Sequence, residues 1–219
     1  MKRIVRIIHV YDERDLLKDK AFFNKCFIKW RENVDLNDDW FIPIKEGMEE
    51  DLKKLGFYDI DSSFTGFYNQ GDGANIRCKI TLRNALKTLK KSLSKYGLFV
   101  DTDNTIINIY SNTYYSYQHE NILCVDYNLE FQDYDGSQNT INTITEVSEN
   151  YMNEISNEIL QYIKERSRKY YQDLNNFYDY LHSEDSFKEE INNSNLLFKL
   201  NGDIFYEEND DIIEEEYNE

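Results

Sequence analysis

Apolar positions along the chain change their period several times, and each change marks an element. Residues 2–10 are rich in Ile and Val, as a strand is, and Leu16, Leu17, Phe23, Phe27 and Trp30 then recur at helical spacing. Pro43 breaks the next stretch. A short helix from about Glu46 to Leu55 is expected to stop at Gly56, which can take the left-handed conformation past a helix end. Phe64–Tyr68 reads as a strand. Ala74, Ile76, Cys78 and Ile80 alternate with polar residues as in a second, half-buried one, with the turn composition Asn69-Gln70-Gly71-Asp72-Gly73 between the two. Leu82, Ala85, Leu86, Leu89, Leu93 and Tyr96 give an amphipathic helix closed by Gly97.

Residues 105–117 and 121–131 alternate again, predicting antiparallel strands linked through Gln118-His119-Glu120, followed by a polar loop from Gln132 to about Asn142. From Val147 to Leu181 apolar residues repeat at three and four positions, a helix of roughly 50 Å at about 1.5 Å per residue. Ser183 is placed to cap a further helix through Ile191, and Asn201-Gly202 between two apolar triplets is a hairpin signal. These elements define the α+β class: an antiparallel sheet packed against helices, with one long C-terminal amphipathic helix. The pattern reads as one domain over 1–206, and 207–219, with eight acidic residues and no basic one, as a disordered tail.

Charge narrows the range of functions. With 42 acidic against 25 basic side chains the formal charge is −17, which repels nucleic-acid backbones and anionic headgroups, so neither direct DNA binding nor membrane binding is expected. Charges recur by Asp12 and Glu13, leaving no signal-peptide core or spanning run, which predicts a cytoplasmic protein. Cys26, Cys78 and Cys124 lie far apart without a C-x-x-C pair, as in reduced cytosolic thiols. The sequence sets no oligomeric state.

The glycine-rich turn around Gln70 and Asp72 invites comparison with a phosphate loop. However, no Gly-Lys-Ser/Thr follows, the next element is a strand where a helix N-terminus is required, and Asp72 would repel an anion. A turn closed by Asp72 and a ligand site containing Gln70 and Asp72 are the two readings. His119-Glu120 can serve as an acid–base couple or half a metal site if both sit in a turn, or as a structural pair. No His spacing supports a metal centre and no motif implies a cofactor. No serine elbow or Cys–His pairing marks a nucleophile. Between Arg77 and Lys95 seven residues are basic and none acidic. Of these, Arg83, Lys87, Lys90 and Lys91 share a helix face, either as a solvated surface or as a patch for phosphate or an acidic partner.

Thr65-Gly66-Phe67-Tyr68-Asn69-Gln70-Gly71-Asp72-Gly73-Ala74-Asn75-Ile76 resembles the S-G-F-W-S-Q-G-D-G-A-x-F strand of a family of small phage proteins, sometimes labelled antitoxin-like. Tyr117-Gln118-His119-Glu120-Asn121 is similar to that family's Y-x-H-E-N. The stretches Tyr171–Leu174 and Tyr178–Ser186, with Phe198 to Gly202, resemble its C-terminal segments. Thr65 and Asn69 stand for serines, Tyr68 for tryptophan, and Glu184-Asp185 inverts the family's order. The resemblance implies a phage or prophage origin and action in the cytoplasm of the infected bacterium. It also brings Gln70, Asp72, His119 and Glu120 to strand ends that one sheet could unite.

The expected function is a non-enzymatic accessory or counter-defence protein, of the anti-CRISPR type. It would bind and inhibit a host protein, a basic nucleic-acid-binding defence effector, through its acidic surface. The alternatives are a nucleotide or small-molecule binder or hydrolase using the Gln70–Asp72 and His119–Glu120 motifs, and an antitoxin paired with a neighbouring toxin gene.

Overall fold

A computed structural model describes residues 9–34, 36, 38–92, 100–112, 118–130 and 138–206, with 138–146 given by backbone alone. In chain order the elements are β1 (Val10–Tyr11), α1 (Glu13–Leu16), α2 (Lys20–Asn33), α3 (Ile42–Lys54), β2 (Phe57–Phe64), β3 (Ala74–Thr81), α4 (Leu82–Leu89), β4 (Ile106–Ser111), a 3-10 turn (Glu120–Ile122), β5 (Leu123–Asn128), α5 (Gln138–Leu181), α6 (Glu184–Ser194), β6 (Leu197–Lys199) and β7 (Ile204–Phe205). The protein is α+β, with antiparallel sheets and α5 as its longest helix. It divides into two compact units, a larger one of residues 40–175 and a smaller one drawn from 1–39 and 176–219.

In the larger unit the antiparallel sheet runs β2-β3-β4-β5. Alternate residues of β3 (Ala74, Ile76, Cys78, Ile80) and of β4 (Ile107, Ile109) turn to one face. There they meet Leu52 of α3, Leu82, Ala85 and Leu86 of α4, and Met152, Ile155, Ile159 and Ile163 of α5. The α5 residues recur every three or four positions, the spacing that lays one helical stripe on a sheet. Each fully buried aliphatic side chain contributes about 1.5–3 kcal/mol. Thr81 caps α4 through Asn84 N–H at 3.4 Å.

The smaller unit pairs β1-β6-β7 and buries Leu16, Phe23, Trp30, Phe187, Ile191 and Phe198. Phe187 is its centre, with ring centroids 5.0 Å from Trp30 and 5.4 Å from Phe23. Ser183 caps α6 by accepting Ser186 N–H at 3.2 Å, and the Asn201-Gly202 turn closes the β6–β7 hairpin with Gly202 at φ +91°, both as the sequence predicts.

Several boundaries differ from expectation. Phe64–Tyr68 is not a strand, because the Asp72 carboxylate takes the Tyr68 and Asn69 N–H groups at 2.9 and 2.6 Å and folds that stretch into a loop. The strand lies earlier, over Phe57–Phe64. Its alternation is hidden by a bulge, since pairing shifts between Tyr58 and Asp61 and Asp59 stands at φ +49°. Pro43 sits in the first turn of α3, where its missing N–H costs nothing, so it starts the helix that it was expected to precede. The helix expected to reach Tyr96 ends at Leu89. Lys90 adopts the left-handed conformation, and the Lys91 and Lys90 N–H groups return to Leu86 O and Lys87 O at 2.9 and 3.1 Å. α5 starts at Gln138, inside the expected loop. Residues 2–8 of the expected first strand, Leu93 to Gly97 and the tail from Glu207 lie outside the described residues.

Candidate functional site

The register of the larger sheet determines where the sequence motifs meet. Phe64 pairs with Ala74 and Ser111 with Leu123, so the β2–β3 and β4–β5 connections leave the same end of the sheet. Residues 65–73 and 118–122 are parts of these connections, and they touch. A Cβ at Gly73 would stand 2.9 Å from the Gln118 carbonyl oxygen and 2.9 Å from the His119 ring, so glycine is what allows the approach.

The loop is tightly braced. Thr65 N–H donates to Gly73 O at 2.9 Å, Asp72 N–H to Asn69 O at 3.1 Å, and Tyr171 of α5 donates its hydroxyl to Gly66 O at 2.9 Å. Phe67 packs between Trp40 and Tyr171. Burial, reinforced by the Asp72 carboxylate, pushes the Tyr171 phenol above its ordinary pKa, so it stays a hydrogen-bond donor. Asp72 thus closes its own turn, while Gln70 at the tip is exposed and Tyr68 retains 76% of its accessible surface.

On the other side Gln118 Oε1 accepts from Ser63 Oγ at 2.8 Å and from Asn75 Nδ2 at 2.5 Å, which satisfies the fully buried Asn75 and ties the 3-10 turn to β2 and β3. His119 caps that turn, its Nδ1 accepting Asn121 N–H at 3.2 Å. Glu120 is buried to 7% exposure. Its Oε1 takes Arg168 Nε at 2.7 Å and its Oε2 lies 2.8 Å from His119 Nδ1. A buried carboxylate needs such partners, since its desolvation is otherwise uncompensated.

Gln70, Asp72, His119 and Glu120 therefore fall on two adjoining segments, with a His–Glu–Arg chain on one and a self-capped loop on the other. Ser63, Asn75, Arg168 and Tyr171 complete the corner. Arg168 bonds a residue 48 positions away and Tyr171 one 105 positions away, and no local pattern carries that information. Asn75 falls on a polar position of the alternating strand like Arg77 and Lys79, so its burial left no trace in the sequence either. Among the described residues no group of three or more His, Cys, Asp or Glu is placed to hold a metal ion. Burial pushes the Cys78 thiol up to about 12 and Cys26 up to about 11, leaving both protonated and unreactive.

The basic cluster is spread out. Arg83 pairs with Asp103 at 2.6 Å. Lys90 and Lys91 lie beyond the end of α4 rather than on its face, and Lys91 reaches Glu154 and Glu158 of α5 at 2.7 and 2.6 Å. Those two bonds, Glu154 first, raise the Lys91 pKa. Lys87 and Lys90 stay exposed. On the face of the sheet turned away from the buried stripe lies a groove of about 440 Å³, where Tyr58, Lys79, Asn108 and Asp126 stand opposite one another across four strands.

Fold and corner together define an α+β protein whose larger unit is an antiparallel sheet with its helices on one face and a braced polar corner at one end. The chain belongs to the family described as Domain of unknown function (DUF8835), whose model matches residues 40–184, a span covering the whole larger unit. No curated protein and no solved structure matches the chain. No helix among the described residues is long and apolar enough to cross a membrane.

Proposed function

We propose that the protein is a phage-encoded accessory or counter-defence factor that binds a host immunity protein through its acidic surface and inhibits it in the cytoplasm of the infected bacterium. The observation that carries this reading is the charge excess and its distribution. Even with all 25 cations paired one to one, 17 of the 42 carboxylates have no cationic match. Residues 40–175 hold 20 acidic and 14 basic side chains, a net −6, while the remaining residues hold 22 and 11, a net −11. Dense carboxylates imitate phosphate charge, so the fitting partner is a basic nucleic-acid-binding effector, held by electrostatic complementarity. The phage origin rests on the motif resemblance.

A pull-down from the bacterial host tests the reading. We expect a basic nucleic-acid-binding protein to be retained at about 0.05 M salt, released by about 0.5 M, and inhibited by the added chain. Retention indifferent to salt would place the energy in an apolar interface and reject the proposal.

The contact between Gly73 and His119 favours a second reading, a nucleotide or small-molecule binder or hydrolase centred on the corner. A thermal-shift screen with nucleotides and divalent cations separates the two, because a ligand specific to the folded state raises Tm. The antitoxin reading requires a toxin gene next to this one.

A further inference from the structure

The His119 ring meets two demands that it cannot satisfy together. Asn121 N–H points at Nδ1 from 3.2 Å and needs a lone pair there, whereas the Glu120 carboxylate, 2.8 Å from the same nitrogen, needs a proton there. An imidazole nitrogen carries one or the other. Neutral His119 with its proton on Nε2 caps the 3-10 turn and sets its Nδ1 lone pair against a carboxylate. A proton on Nδ1, which the imidazolium always carries, binds Glu120 and gives up the cap.

We propose that His119 is a proton-controlled latch on the loop of residues 65–73. Three features of the corner make the exchange workable. Glu120 keeps its Arg168 Nε bond at 2.7 Å in either state, so the buried carboxylate never loses every partner when His119 turns away. The ring rests against Gly73 without a side chain between them, so a reorientation of the ring bears directly on that residue. Gly73 O in turn accepts Thr65 N–H at 2.9 Å, the bond that closes the base of the loop displaying Tyr68 and Gln70. Histidine is the side chain whose ordinary charge change lies between pH 5 and 8.

The charged and titratable groups around the corner are Glu120 on the 3-10 turn, Arg168 and Tyr171 on α5, and Asp72 in the loop. The Asp72 carboxylate is engaged by Tyr68 and Asn69 N–H, and the Tyr171 hydroxyl by Gly66 O.

Nitrogen-15 and amide NMR of the full chain between pH 5 and 8 tests the latch. As His119 passes from neutral to imidazolium, the Asn121 amide proton should shift upfield with loss of its acceptor, and the Gly73 and Thr65 amides should move with the same midpoint. In His119→Asn, which keeps a capping oxygen but cannot titrate, those three amides should be flat over the range while Tm holds. If Asn fails to support the fold, His119→Ser replaces it as a capping side chain that cannot titrate, and the same flat response is expected. Three results would overturn the proposal: no change in His119 protonation across the range, imidazolium formation with Gly73 and Thr65 unmoved, or an unaltered pH response in a folded variant.

Discussion

The larger and smaller units carry charge differently. In the larger unit cations are placed against particular carboxylates: Arg77 with Asp61, Lys79 with Asp59, Arg83 with Asp103, Lys91 with Glu154 and Glu158, and Arg168 with Glu120. The smaller unit pairs Lys29 with Asp203, Lys18 with Asp15 and Lys188 with Glu184 and Asp185, and is still left with a net −11. The family match covers the larger unit and, beyond it, the end of α5 and the first residue of α6. The charge excess and the braced corner are thus separable properties held mostly on different residues, so a variant can remove one and leave the other.

The largest expected effect is in the smaller unit. Phe187→Ala removes the ring at the meeting point of Phe23, Phe27, Trp30 and Phe198 and should cost about 3–5 kcal/mol, read as lost amide protection in that unit with the β3 and β4 amides as reference. In the larger unit Gly56→Ala meets φ +89° and a Cβ position 2.3 Å from the Asn84 amide. About 2–3 kcal/mol of destabilisation in a denaturant melt is expected, and a neutral result would mean that the α3–β2 turn rearranges freely. Arg168→Ala should cost about 1–2 kcal/mol, because Glu120 stays buried with His119 alone while water recovers part of the half-exposed guanidinium's role.

Lys90→Gly should stabilise by about 0.5–1 kcal/mol, since glycine enters the left-handed cap of α4 without steric penalty. The smallest effect compares one carboxylate from each unit. Asp203, held low mainly by Lys29, and Asp101, held low mainly by the Asn104 side chain and the backbone N–H groups of Asn104 and Asp103, both have folded pKa values below the unfolded ones. Each contributes stability that is present above the unfolded value near about 4 and is lost as pH falls through the folded value. Salt should weaken the Asp203 contribution, an ion pair, and leave the Asp101 contribution, a hydrogen-bonded turn, nearly unchanged.

Where local chemistry decides the backbone, the sequence was legible. Ser183 capping α6, the Asn201-Gly202 hairpin, Gly56 after α3 and the alternation of β3 are set by residues within a few positions of one another. The misplaced boundaries came where a distant or irregular contact outweighed the local pattern. β2 is bulged at Asp59, and the end of α4 coincides with the pairing of Lys91 to α5. At the corner, Gln70, Asp72, His119 and Glu120 stood out as residue types, but which of them would be consumed by the fold did not. Asp72 proved to be bonded to its own loop, and Glu120 to an arginine no sequence pattern had singled out.

By itself the sequence determined the α+β class, the amphipathic face of the long helix and the excess of negative charge, because periodicity and composition are properties of the chain before it folds. Only the tertiary structure decided that the Gly-Asp turn and the His-Glu segment adjoin. Their contact depends on strand register and on a helix 48 residues further along, and such juxtapositions arise when an antiparallel sheet brings two of its connections to one end.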